Sequence, residues 1–150
     1  MALTVTAAHV QDTADLIEMF LEMEEFYGED DDRETVETNT RRALFGSNPL
    51  AYALIARVDE KPAGFAAYTF LWPAVGSTSS LYLKELYVKA DCRQQGVGAA
   101  LMREVEAVAA RHDCSRVEWT TDTTNAVARA FYDRRGHIPV TGKVLYRTEL

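Results

Sequence analysis

The chain has 150 residues, 47% of them apolar, and a formal charge of −7. That composition supplies a core for one domain spanning residues 1–150 and excludes a disordered chain. The acidic balance argues against a nucleic-acid partner, and no apolar run approaches the roughly 18 residues of a membrane span.

The first residues, Met1-Ala2-Leu3-Thr4-Val5-Thr6, lack the basic stretch and long apolar run of a signal peptide. Cys92 and Cys114 therefore read as free thiols in a reducing cytoplasm. His9, His112 and His137 are scattered without ligand spacing, so no metal site is expected. Between Glu22 and Glu34 stand eight acids against one base, Arg33, so this segment alone carries −7 and the remainder is neutral. It reads as a solvated helix end and loop, or as a patch that attracts a cation.

Leu3–Ala7 reads as a short strand, and Asp12 as the N-cap of a helix whose inner face is Leu16, Ile17, Phe20 and Leu21. Gly28 and the Asp30-Asp31-Asp32 run end it. A second helix is expected over 33–45. Ala51–Val58 and Ala63–Leu71 read as a hairpin around Asp59-Glu60-Lys61-Pro62. Leu81–Val88 alternates, with Leu81, Leu83, Glu85 and Tyr87 opposed to Tyr82, Lys84, Leu86 and Val88. Leu101, Met102, Val105, Val108 and Ala109 mark a helix ending near His112. Val117–Thr121 reads as a strand and Asn125–Arg134 as a helix stopped by Gly136. A closing hairpin is expected over His137–Val140 and Val144–Thr148. Hairpins mixed with two strand–helix crossovers predict an α+β sheet with helices on its faces.

The chemistry concentrates in Leu86–Leu101, which runs from a strand through a glycine-bearing loop into a helix. A helix start exposes unpaired amides at the positive end of the helix dipole, a site for phosphate. Gly96 and Gly98 remove side chains where backbone must approach such a group, and Arg93 adds a cation. A plain strand-to-helix turn is the simpler reading. A dinucleotide fingerprint lacks its third glycine here, and no Gly-Lys-Ser/Thr follows for a Walker loop.

The run Arg93-Gln94-Gln95-Gly96-Val97-Gly98 resembles the coenzyme A loop of the GNAT N-acetyltransferase superfamily. Leu83–Val88 resembles the strand before that loop, and Asn125–Tyr132 with Arg134-Arg135-Gly136 the family's second cofactor motif. The resemblance implies a twisted, mostly antiparallel sheet of about seven strands with four helices, splayed between the fourth and fifth strands. It implies acetyl-coenzyme A as co-substrate and a homodimer. The backbone of Leu86, Tyr87 and Val88 would bond the pantetheine arm, and amides from Gln94, Gln95, Gly96, Val97, Gly98 and Ala99 the pyrophosphate, with Arg93 beside them. Asn125 and Ala128 would touch the arm from the other side, and Tyr132 would lie near the thioester sulfur.

An alkylamine must lose a proton before it attacks a thioester, its pKa being near ~10 like that of lysine. Glu85, through water, is the expected base, with Glu118 and Asp122 as alternatives; Tyr132 is the expected donor to the leaving thiolate. The simpler readings are a surface carboxylate for Glu85 and an aromatic anchor for Phe131 and Tyr132. Cys92 and Cys114 are not expected to act chemically.

Within the superfamily the closest likeness is to the diamine acetyltransferases, of spermidine/spermine and thialysine type. Their fourth strand carries Leu-Glu-Asp, where this chain has Leu83-Lys84-Glu85. Lys84 replaces a substrate acid and repels a polycation, while Glu24 falls near another substrate acid. The expected acceptor is a small primary amine, amino-acid-like or a diamine, with Glu24 and Lys84 as the expected substrate contacts and Lys84 able to pair a carboxylate on the acceptor. A protein lysine or N-terminus, and a non-catalytic acyl-coenzyme A sensor, are the competing readings.

Overall fold

The computed structural model describes all of residues 1–150, which form two compact units, Met1–Trp119 and Thr120–Leu150. The first holds a five-stranded mixed sheet: β1 (Leu3–Ala7), β2 (Tyr52–Val58), β3 (Lys61–Leu71), β4 (Ser80–Val88) and β5 (Arg116–Glu118), adjacent in that order. Helices α1 (Thr13–Phe26) and α2 (Arg33–Phe45) connect β1 to β2, and α3 (Val97–Arg111) connects β4 to β5. The first four strands pair antiparallel, and α3 makes the crossover that lets β5 run parallel to β4.

Strand alternation sorts the core into two layers. Ala53, Ile55 and Phe65 face α1, where they cluster with Leu16 and Met19. Their neighbours Leu54 and Ala66 point to the other face and are equally buried, with α3 supplying Val97, Leu101, Met102 and Val105. The β2–β3 turn is tighter than the expected tetrapeptide. Asp59 (φ 48°) and Glu60 (φ 70°) alone form it, the two left-handed residues of a type I′ turn. Pro62 therefore lies inside β3, beside the register shift at Ala56/Arg57 where the ladder is already interrupted.

Asp12 precedes α1 without capping it. Its carboxylate instead accepts from the His9 amide at 2.8 Å and from Arg57 at 2.7 Å. Asp32 does cap α2, accepting from the Thr35 amide at 2.9 Å, which gives one member of the acidic run a structural role.

Two sequence expectations need correction. β4 does not alternate strictly: Ala67 faces Glu85 and Tyr68 faces Leu83, so Lys84 is one residue too many and forms a β-bulge. Residues 137–150 form no strand, so the closing hairpin and the count of about seven strands are not realised. Pro139 cannot donate to a ladder and sits inside the expected first strand.

In the second unit α4 (Ala126–Arg134) ends at Gly136 (φ 84°), whose amide bonds to Asp133 at 3.0 Å, while the His137 amide bonds to Tyr132 at 3.1 Å.

At Gly64 β3 approaches its neighbours too closely for a side chain. A Cβ there would stand 2.5 Å from the Tyr87 carbonyl oxygen and 3.3 Å from the Val97 side chain. Gly64→Ala is expected to destabilise the protein by about 1–3 kcal/mol through overpacking, seen as a Tm lowered by several degrees. An unchanged Tm would contradict this.

Candidate active site

β4 leads through a short 3₁₀ turn (Ala90–Cys92), closed by the Cys92 amide on the Lys89 carbonyl at 2.9 Å, into the loop before α3. Arg93 is extended, Gln94 is left-handed at φ 61°, and Gly96 is left-handed at φ 83°. A left-handed Gln is costly backbone of the kind that collects at ligand sites. Left-handed residues alternating with right-handed ones build the concave amide nests that hold anions.

The first rung of α3 runs from the Ala100 amide to the Gly96 carbonyl at 3.0 Å. The amides of Val97, Gly98 and Ala99 thus precede any carbonyl acceptor within the helix. A Cβ on Gly96 would meet no heavy atom within 4 Å, so protein does not wall off the helix start there. Donor set, helix polarity and open space together fit a diphosphate.

Arg93 is held from inside. Its Nε donates to the Val88 carbonyl at 3.1 Å, and its guanidinium lies 5.5 Å from the Phe26 ring centroid. Gln95 donates its side-chain amide to the Asp91 carbonyl at 3.1 Å, closing the loop on itself.

The bulge in β4 determines the next group. Leu81, Leu83, Leu86 and Val88 oppose Phe70, Tyr68, Ala66 and Gly64, all on the α3 face. Glu85 and Tyr87 oppose Ala67 and Phe65 on the α1 face. Lys84, the extra residue, brings its Nζ within 3.6 Å of Glu85 Oε1. Burial raises the Glu85 pKa above its ordinary value, and the Lys84 cation pulls against that rise. Glu85 is thus a half-buried carboxylate whose neutral form burial favours.

Residues of α1 reach the same strand. Glu22 accepts from Lys89 at 2.6 Å and from the Tyr87 hydroxyl at 3.2 Å. The hydrogen bond to Glu22 raises the Lys89 pKa. Glu24 lines a pocket of about 300 Å³ with Leu21, Glu25, Glu29, Asp30 and Asp31. Its Oε2 is buried without a hydrogen-bond partner, and burial, then the neighbouring Asp31 and Glu29, raise its pKa. The Lys84 bulge, the Glu22 contacts and the Arg93–Phe26 stack were not anticipated. The one readable signal was the shift of apolar phase across Lys84-Glu85, from Leu81 and Leu83 to Leu86 and Val88.

In the second unit Asn125 caps α4, its Oδ1 accepting from the Ala128 amide at 3.1 Å. Two expected cofactor contacts thereby bond each other, which leaves the side-chain NH₂ of Asn125 as the outward donor. Tyr132 is half-buried between Phe131 and His137, with ring centroids at 5.2 and 6.2 Å.

The model of the acetyltransferase (GNAT) family matches residues 14–137. The chain belongs to that family. It is accordingly an acetyl-coenzyme-A-dependent N-acetyltransferase. It is 26% identical over 133 residues to a thialysine N-epsilon-acetyltransferase of Sus scrofa, covering 83% of this chain and 78% of that one. An uncharacterized N-acetyltransferase of Bacillus subtilis is 27% identical over 147 residues, 96% of this chain and 95% of its own. An integron cassette protein of V. cholerae has a TM-score of 0.90 at 28% identity, over 99% and 93% of the two chains. An aminoglycoside N-acetyltransferase in complex with CoA shares the fold, with a TM-score of 0.83 at 15% identity over 99% and 96%. No helix is long and apolar enough to cross a membrane, and no group of three or more His, Cys, Asp or Glu side chains is arranged to hold a metal.

Carbon-13 NMR titration of the Glu85 carboxyl should give a midpoint above the ordinary glutamate value. Lys84→Met should move it further up, because the cation that lowers it is gone. A downward move in the variant would refute this account of the pair.

Proposed function

We propose that this enzyme acetylates a primary amine of a small molecule by direct attack of the amine on acetyl-coenzyme A in a ternary complex. The observation that carries the reading is the half-buried Glu85 carboxylate on the same strand that leads into the unpaired amides at the start of α3. The thialysine N-epsilon-acetyltransferases among its relatives support a small amine over a protein.

In this reading residues 1–150 act as one domain, and the sheet splays where the parallel ladder of Ser80–Tyr82 with Arg116–Glu118 gives out. The backbone of Leu86, Tyr87 and Val88 then bonds the pantetheine arm. Amides from Gln94 to Ala99 and the outward nitrogens of Arg93 hold the pyrophosphate, and Asn125 with Ala128 borders the arm. The bound donor supplies an activated acetyl carbonyl and a thiolate leaving group.

The chain's own residues handle protons and position. Glu85, through water, takes one proton from the acceptor ammonium, so that the free amine forms the new C–N bond as the C–S bond breaks. The Tyr132 hydroxyl gives a proton to the departing sulfur and is reprotonated from solvent. The amide nitrogen gives its surplus proton to water and Glu85 returns its own to solvent, so that, with Tyr132 restored, each turnover releases one proton net. Backbone amides near Val88 stabilise the charge on the carbonyl oxygen. Holding amine and thioester in line supplies much of the rate, with no acyl-enzyme. Glu24 and its acidic neighbours draw the cationic acceptor toward the site.

Free-thiol release from acetyl-coenzyme A across amines, amino acids and peptides tests the reading. Turnover with small amines supports it; release with peptides alone, or with nothing, overturns it. Gly96→Asp places negative charge at the helix start and should abolish acetyl-coenzyme A binding in calorimetry while the fold survives. Retained affinity would remove the loop from the site. Tyr132→Phe should lower kcat by roughly 10²-fold with cofactor affinity kept. An unchanged kcat, with chemistry rate-limiting, would remove Tyr132 from the mechanism.

A further inference from the structure

Adjacent residues in a regular strand point to opposite faces of the sheet, so Lys84 and Glu85 should be separated by the strand itself. The extra residue at the bulge cancels that separation and brings ammonium and carboxylate to 3.6 Å on one side. Their side chains are 68% and 36% exposed, so the pair opens to solvent. A solvent-open pair of this kind contributes little to folding stability, and a ligand can part it at small cost. No other cation bonds or pairs with Glu85.

We propose that the Lys84 ammonium anchors a carboxylate of the acceptor, so that the natural substrate is a zwitterion, an amino-acid-like amine and not a polyamine. The inference rests on the proposed role of Glu85. The acceptor's ammonium group replaces Lys84 as the partner of Glu85, and its carboxylate replaces Glu85 as the partner of Lys84. One internal ion pair becomes two pairs with substrate, both made at the reacting end of the molecule. A diamine can satisfy Glu85 equally well, but its second cation gains nothing from Lys84 and is repelled by it.

The test compares matched acceptors, alanine against ethylamine and lysine against 1,5-diaminopentane. The measurements are kcat/KM by thiol release, with acetyl-coenzyme A affinity by calorimetry as a check on folding and loading. The wild-type enzyme should prefer the carboxylate-bearing member of at least one pair. Lys84→Met should lower that preference at least tenfold, and Lys84→Glu should invert it in favour of the diamine. A merely structural lysine would change both members of a pair alike. Preferences that stay within twofold across the wild type and both variants would overturn the inference while leaving the acetyltransferase reading intact. Thiol release with no amine at all, from enzyme that binds acetyl-coenzyme A, would overturn both.

Discussion

The arrangement of the site depends on one requirement of β4. Four apolar side chains, Leu81, Leu83, Leu86 and Val88, must share the face that packs on α3, and an unbroken strand cannot put odd- and even-numbered residues on one face. One surplus residue resolves the conflict, and the chain spends a lysine on it. Glu85 is thereby turned with Tyr87 to the α1 side, half-buried above Ala67. The core of the sheet and the placement of Glu85 are therefore two results of the same packing demand. Unbroken alternation through Lys84 would move Leu86 and Val88 from the α3 face to the α1 face of the sheet.

A second constraint acts at the loop. Between the end of β4 and the first rung of α3 the backbone is left-handed at both Gln94 and Gly96. The loop is fastened by its own groups, Gln95 to Asp91 and Arg93 to Val88. These bonds keep the amides at the helix start in a defined direction before any anion arrives. Gly64 matters to the same end, because β3 could not approach Tyr87 and Val97 so closely with any side chain in place. The sheet thus sets the depth at which α3 begins.

Much of this was readable in the residues. The order of elements from Leu3 to Arg134 follows from periodicity and punctuation, and the boundaries of α2 and α3 agree with the sequence reading. What escaped was set by tertiary demands. Asp12 has the composition of a helix cap, yet Arg57, 45 residues away, takes its carboxylate. Asp59-Glu60 makes a tight turn without the glycine that usually announces one. The resemblance assigns Asn125 to the cofactor arm, and its Oδ1 in addition serves the helix it begins. The apolar phase shift in β4 was visible and was read as alternation.

The inward bond from Arg93 to the Val88 carbonyl has a consequence for the choice of cation. A guanidinium spends one donor on that carbonyl, rests its plane near Phe26, and still presents further N–H groups in a fixed fork. A primary ammonium at this position would have to choose between the carbonyl and an incoming oxyanion. In the proposed pyrophosphate-holding role the side chain is therefore an immobilised tool: its rotamer freedom is surrendered when the chain folds and not when cargo arrives, and capture would be correspondingly less opposed by entropy.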